Sequence, residues 1–130
     1  MIVDTSAMLS ILFEEPDGDR IDVAIARSGG CSMSSANLLE ASLVLQSRKG
    51  WEGVRGLDLL VLRFDIQIVP FTESQALIAR IAFQRYGKGR HPAKLNFGDC
   101  MAYALAKETG EELLFKGTDF ALTDIAVAAY

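Results

Sequence analysis

Histidine and cysteine are nearly missing from this chain of 130 residues, which holds one His and two Cys. His91 alone excludes metal motifs built on histidine pairs and acid–base schemes that need two imidazoles. Cys31 and Cys100 are too few for a disulfide framework or a cysteine-based zinc site, and they read as reduced, packed thiols. No apolar run approaches the ~20 residues of a membrane-spanning helix. The start of the chain has no basic flank, apolar core and cleavage site in the order of a secretory signal. Strand-forming sequence begins at residue 2, so a complete, cytoplasmic chain is the expectation. Positive charge is in deficit, 13 Lys and Arg against 17 Asp and Glu. That balance argues against broad non-specific binding to polyanions and leaves room for a local basic patch. Repeats, low-complexity tracts and linkers are absent as well. What is present is apolar sequence, half of all residues, enough for one domain over 1–130 with a substantial core.

Apolar periodicity lays out the elements. Ile2 and Val3 read as a short buried strand, followed by an apolar helix from Ser6 to Glu15 that Pro16 ends. Asp19 to Arg27 is a short amphipathic helix closed by Gly29 and Gly30. Cys31 to Met33 reads as a strand, and Ser34 or Ser35 caps a helix running to Lys49, where Gly50 stops it. Glu52 to Phe64 is a further helix, and Ile66 to Val69 the clearest strand. Thr72 and Glu73 open a helix whose inward residues are expected to be Leu77, Ile78, Ile81 and Ala82. Asn96 caps a helix from Phe97 to Thr109, and Gly110 ends it. Leu113 to Phe115 is a strand, Lys116 to Asp119 a turn, and Ile125 to Val127 an added edge strand. Strands separated by helices imply crossovers, a mostly parallel sheet and an α/β layered fold.

Four carboxylates stand out on that layout. Asp4 ends the first strand, and ligands in open α/β sheets gather at the carboxyl ends of strands. Asp119 follows the Leu113–Phe115 strand and lies along the same sheet edge. Asp99 falls in the first turn of the helix capped by Asn96. Glu40 sits on a helix among Ala36, Leu43 and Val44, where a carboxylate is costly to bury without a partner. Each alone has a structural explanation: a helix cap for Asp4, the helix dipole for Asp99, turn chemistry for Asp119, solvent for Glu40. Together they repel one another, and the set is stable at neutral pH only with shared protons or a hard cation. Magnesium or manganese suits such an all-oxygen site and would activate water against a phosphoryl group.

These residues carry a family resemblance over essentially the whole chain. It resembles a PIN-domain ribonuclease, more closely a VapC-type toxin of a bacterial type II toxin–antitoxin pair. The resemblance rests on Met1 to Ala7, on Ser34-Ser35 with Leu39-Glu40, and on Tyr86 to His91 leading into Leu95 to Cys100. It continues through Leu114 to Phe120 and Thr123 to Ile125. It implies a three-layer α/β/α fold with a short central sheet, and an acidic pocket of Asp4, Glu40, Asp99 and Asp119. Asp4 and Asp99 are then the direct ligands of Mg2+, with Mn2+ as a substitute. Ser6 is a supporting hydroxyl. Thr118 stands where many relatives have a second polar or acidic residue, which makes its hydroxyl a donor near the pocket rather than a metal ligand. Asp124 either adds a supporting carboxylate or caps the final segment. The implied partners are an RNA substrate, a VapB-type antitoxin whose tail fills a hydrophobic groove, and a second copy in a homodimer. DNA enters only through the antitoxin.

Arg85, Lys88, Arg90 and Lys94, with His91 among them, form the one concentrated positive stretch. It ends at the helix that carries Asp99, so it is expected to contact RNA phosphates, with Tyr86 stacking on a base. As a general acid His91 is not required, because a bound metal can do that work. Two other readings remain open. One is a phosphotransfer domain, which Ser6 opposes because the Asp-x-Asp of haloacid-dehalogenase-like phosphatases is absent. The other is a non-catalytic partner that helps an antitoxin regulate DNA.

Overall fold

Two residues of strand organise the chain. In the computed structural model, which describes residues 1–130, Ile2 and Val3 are both fully buried and point to opposite faces of one sheet. Period-two alternation of side chains dictates this, and it sends each residue into a different core layer. The sheet has four strands in the order β3-β2-β1-β4, all parallel. They are β1 (Ile2–Val3), β2 (Ser32–Ser34), β3 (Gln67–Val69) and β4 (Leu113–Leu114). Ile2 is in register with Ser32 on one side and Leu113 on the other, which makes β1 an interior strand.

Five helices cover the two faces, giving three α/β/α layers. Val3, Met33 and Leu114 pack with α1 (Thr5–Leu12), α2 (Gly18–Arg27) and α3 (Ser35–Arg63). Ile2, Leu113 and Phe115 pack with α4 (Glu73–Tyr86) and α5 (Phe97–Thr109). α5 is the most buried helix: Cys100 through Ala106 are all buried, and Ala102, Ala104 and Ala106 allow close approach. Gly110 closes it in the left-handed conformation with φ 70°, as the glycine stop requires.

Several elements differ from the sequence expectation. The first helix ends at Leu12, short of Glu15, because Glu14 turns to φ 53° before Pro16. Gly50 breaks its helix without a loop: φ 63° and ψ −158° kink α3, and helix resumes at once. That backbone region is open essentially to glycine alone. β3 is short and exposed, and its anchor is the buried Ile66 just before it. The Ile125–Val127 strand shrinks to a single bridge between Leu113 and Val127. In α4 the inward face is Gln75, Ile78, Ala79, Ala82 and Tyr86, while Leu77 and Ile81 are 46% and 54% exposed. The cause is polar: Gln75 is fully buried and donates to Glu108 at 2.7 Å, which rotates Leu77 and Ile81 outward.

Burial sets the expected costs. Leu114 is fully enclosed, so Leu114→Ala should lower unfolding free energy by about 3 kcal/mol, read by urea denaturation. Ile81→Ser should stay within about 0.5 kcal/mol of wild type in the monomer; a core-sized loss there would return Ile81 to the inward face of α4.

Candidate active site

β1 ends by delivering Asp4 to the carboxyl edge of the sheet, between β2 and β4. The Asp4 N–H bonds Leu114 O at 2.9 Å, which ties the residue to β4. Its side chain is the N-cap of α1, with Oδ2 accepting from Ser6 N at 2.9 Å and from Ser6 Oγ at 2.6 Å. Ser6 Oγ in turn accepts from Lys116 N at 3.0 Å. One hydroxyl thus joins the ends of β1 and β4. Asp4 is 2% exposed, and Oδ1 is buried without any hydrogen-bond partner. A buried, unpaired carboxylate oxygen costs several kcal/mol unless it is protonated or meets a cation.

Electrostatics records the same pressure. Burial, opposed by the two Ser6 hydrogen bonds and reinforced by Asp99 and Glu40, pushes the Asp4 carboxyl up to about 7. Asp99 is also raised, first by burial and then by Asp119 and Glu40, against a lowering hydrogen bond from Asn96. The four acidic residues therefore share one field, linked through Asp99. Asp99 also has a structural role. Its Oδ2 accepts from Asn96 N at 2.8 Å while Asn96 Oδ1 accepts from Asp99 N at 2.9 Å, a reciprocal capping box. Asp119, at the start of the 3-10 turn Phe120–Leu122, is exposed and makes no side-chain cap. No three His, Cys, Asp or Glu side chains converge closely enough to enclose an ion with their present rotamers; Asp4, Asp99 and Glu40 lean instead on their own protein donors.

Glu40 is held most firmly. Its Oε2 accepts from Thr5 Oγ1 at 2.5 Å and from Asn37 Nδ2 at 3.2 Å. A methyl group on Gly98 would overlap the Glu40 carboxylate, so this first-turn position of α5 must be glycine for Glu40 to lie there. The expected apolar surroundings of Glu40 are half right, since Leu43 is 59% exposed. The Thr5 hydroxyl, read from sequence as a helix cap or a group that orients a carboxylate, holds Glu40; Asn37 and Gly98 carry no such reading. The readable signal was an amide three residues before Glu40, one helical turn away on the same face.

Other assignments change. Asp124 does not face the pocket: its oxygens accept from Tyr103 Oη at 2.6 Å and Lys107 Nζ at 2.8 Å, pinning the C-terminal segment to α5. Lys107 and Tyr103 hold its carboxyl below the usual range. Thr118 is exposed, and its hydroxyl makes no hydrogen bond within the protein. Tyr86 is packed edge-on to His91 at 5.1 Å and tilted against Tyr103 at 5.9 Å, so its ring is not free to stack on a base. His91 Nδ1 accepts from Ala93 N at 3.1 Å and serves the loop. Burial pushes the Cys100 thiol up to about 11, as suits a packed, unreactive cysteine.

The basic loop is a closed excursion. Lys88 N donates to Leu95 O at 3.0 Å and Leu95 N to Tyr86 O at 3.0 Å. Lys88, Arg90 and Lys94 are exposed, and the ion pairs of the protein all lie elsewhere. Asn96 follows at once, so the cations lead directly to Asp99.

Comparison with known proteins agrees with this architecture. The PIN domain family profile matches residues 1–126. The chain belongs to the PIN domain family. Among its relatives, "Ribonuclease VapC" of Mycolicibacterium smegmatis is 49% identical over 97% of this PIN domain and 98% of that protein. "Ribonuclease VapC30" of Mycobacterium tuberculosis is 47% identical over 99% and 98%. In fold it is similar to the sarcin-ricin loop cleaving toxin VapC20 of Mycobacterium tuberculosis, with TM-score 0.80, 16% identity, and coverage of 96% of this chain and 95% of that one. It is similar also to VapBC2 of Rickettsia felis bound to a promoter DNA fragment, with TM-score 0.73, 16% identity, and coverage of 97% and 95%.

The raised carboxyl of Asp4 has a signed consequence for the metal-free protein. The unfolded chain releases this proton near the ordinary carboxyl value, whereas the folded chain keeps it to about 7. Its contribution to stability is therefore complete below the ordinary value and is lost as pH rises through 7. Asp4→Asn removes that loss. The melting-temperature difference, variant minus wild type, should grow by roughly 5 °C between about pH 4.5 and about pH 8. Equal differences at the two pH values would show that Asp4 ionises normally.

Proposed function

We propose that this PIN domain is a metal-dependent endoribonuclease, the toxin of a type II toxin–antitoxin pair. The observation that carries the reading is Asp4: buried, one oxygen tied to Ser6, the other unpaired, with Asp99 and Glu40 close enough to raise its carboxyl. The donor set fits a hard divalent cation, Mg2+ or Mn2+, because it is all oxygen and carries excess negative charge. Asp4 and Asp99 would hold the ion, and Glu40 and Asp119 would complete the pocket. Such an ion, when bound, lowers the pKa of an attached water and offsets charge building on a phosphodiester.

The chain's own groups do the rest. Ser6 fixes the rotation of Asp4 and leaves Oδ1 as its available acceptor. Asn96 fixes Asp99 through the capping box, so that ligand sits on the rigid start of α5. Glu40, held against Gly98 at the start of α5, would orient water, and Asp119 contributes charge from the exposed rim. Lys88, Arg90 and Lys94, with Arg85 behind them, meet the RNA backbone. A net charge of −4 makes this local cation set the main steering the enzyme has toward a polyanion.

Partners follow from surface and kinship. The solved relatives include toxin–antitoxin complexes, and a VapB-type antitoxin is the inhibitor proposed for this chain. A cleft of about 400 Å3 between α4 and α5, lined by Phe71, Phe83, Phe97 and Met101 among others, is the hydrophobic groove proposed for the antitoxin's tail, and a homodimer is proposed from kinship alone. No helix is long and apolar enough to cross a membrane. Cellular RNA as the substrate makes the cytoplasm the proposed compartment. A regulatory role through antitoxin-bound DNA is compatible with the Rickettsia felis relative and would accompany cleavage.

Purified protein should cleave RNA with added Mg2+ or Mn2+ and stop in excess chelator. Asp99→Asn should cut the rate at least ~100-fold with the fold intact by circular dichroism. A folded Asp99→Asn protein that cleaves at the wild-type rate refutes the mechanism. Replacing Arg90 and Lys94 with Gln should weaken RNA binding and flatten its log–log salt slope by about 1.4, at ~0.7 for each single-strand phosphate no longer neutralised. An unchanged slope would remove the loop from the interface.

A further inference from the structure

Asn37 lies at the meeting point of the three elements that supply Asp4, Glu40 and Asp99, and it is completely enclosed. Its Nδ2 donates to Gly98 O at 3.0 Å, to Glu40 Oε2 at 3.2 Å and to Thr5 Oγ1 at 3.3 Å. Thr5 Oγ1 donates its own proton to Glu40 Oε2 at 2.5 Å. Gly98 O and the Glu40 carboxylate are acceptors only, so the amide orientation is determined: a flipped Asn37 would set oxygen against oxygen. Two amide protons are thereby shared among the start of α1, the first turn of α5 and the acid on α3.

The oxygen of the same amide argues against a packing role. Asn37 Oδ1 is buried with no partner, at a cost of about 1–3 kcal/mol. An apolar residue in this fully enclosed place would avoid that cost. What the amide does in return is hold Glu40 against Gly98, in the space a side chain at Gly98 would fill.

We propose that Asn37 is the positioning residue of the acidic pocket. Through Nδ2 it joins the Glu40 carboxylate, which Thr5 also holds, to Gly98 O of α5, so Asn37 is the side chain that links Glu40 to the helix of Asp99. This rests on the metal-dependent reading above. Asn37 touches neither substrate nor ion, and its influence passes through Glu40.

The test is a double-mutant cycle read by Mn2+ binding to the purified, metal-stripped chain, using calorimetry. Asn37→Ala should weaken Mn2+ about ten-fold, within the range for outer partners of a metal site, because the Glu40 charge that completes the pocket is displaced. In a Glu40→Gln background the same substitution should change Mn2+ affinity less than about two-fold, because the group it orients is no longer charged. Asn37→Ser keeps a hydroxyl donor and should recover part of the loss; it also supplies the cycle if Asn37→Ala does not fold. In RNA cleavage, kcat should fall while KM stays near wild type. Equal losses in both backgrounds, or wild-type affinity in Asn37→Ala, would overturn the inference while leaving the metal reading in place. A wild-type protein that binds no Mn2+ would overturn the metal reading itself, and the positioning role with it.

Discussion

Repulsion among carboxylates at the end of β1 is the constraint on which the rest depends. Asp4 must be buried, because β1 is interior to the sheet, and it must sit near Asp99 and Glu40, because α5 and α3 begin beside it. Each acid is therefore restrained separately: Asp4 by Ser6, Asp99 by the Asn96 cap, Glu40 by Thr5 and Asn37. These donors offset part of that repulsion within the fold itself. The restraints come from the same short segments that start α1, α3 and α5, so secondary structure and site are built from common hydrogen bonds.

That economy explains why so much was legible in the sequence. Asp4, Ser34 and Asn96 each precede a helix, and each caps one. Cap chemistry, strand length and apolar period together give the layered α/β order and put Asp4 and Asp99 at element ends. The cap read for Asp4 and the helix-start role read for Asp99 are both compatible with a pocket, since one carboxylate oxygen can cap while its twin stays available. Sequence alone presents these as rivals because it cannot separate Oδ1 from Oδ2.

What escaped was three-dimensional pairing. The side of α4 that packs is decided by a buried Gln75 with a distant Glu108, which no local apolar pattern encodes. Asp124 is drawn toward α5 by Tyr103 and Lys107, partners 21 and 17 residues away in sequence. Asn37 looked like an ordinary polar residue on a helix because its three acceptors come from three separate segments. Tyr86 looked available because its neighbours His91 and Tyr103 meet it only after the loop closes.

The closure of that loop reaches beyond its own hydrogen bonds. Residues 88–94 leave and re-enter the chain through one paired doorway, Tyr86 to Lys88 facing Leu95, and the helix cap begins one residue later. Changes of length or charge inside the doorway leave the register of α5 untouched. The segment is thus a cassette, set apart by its doorway from the helix cap that follows it.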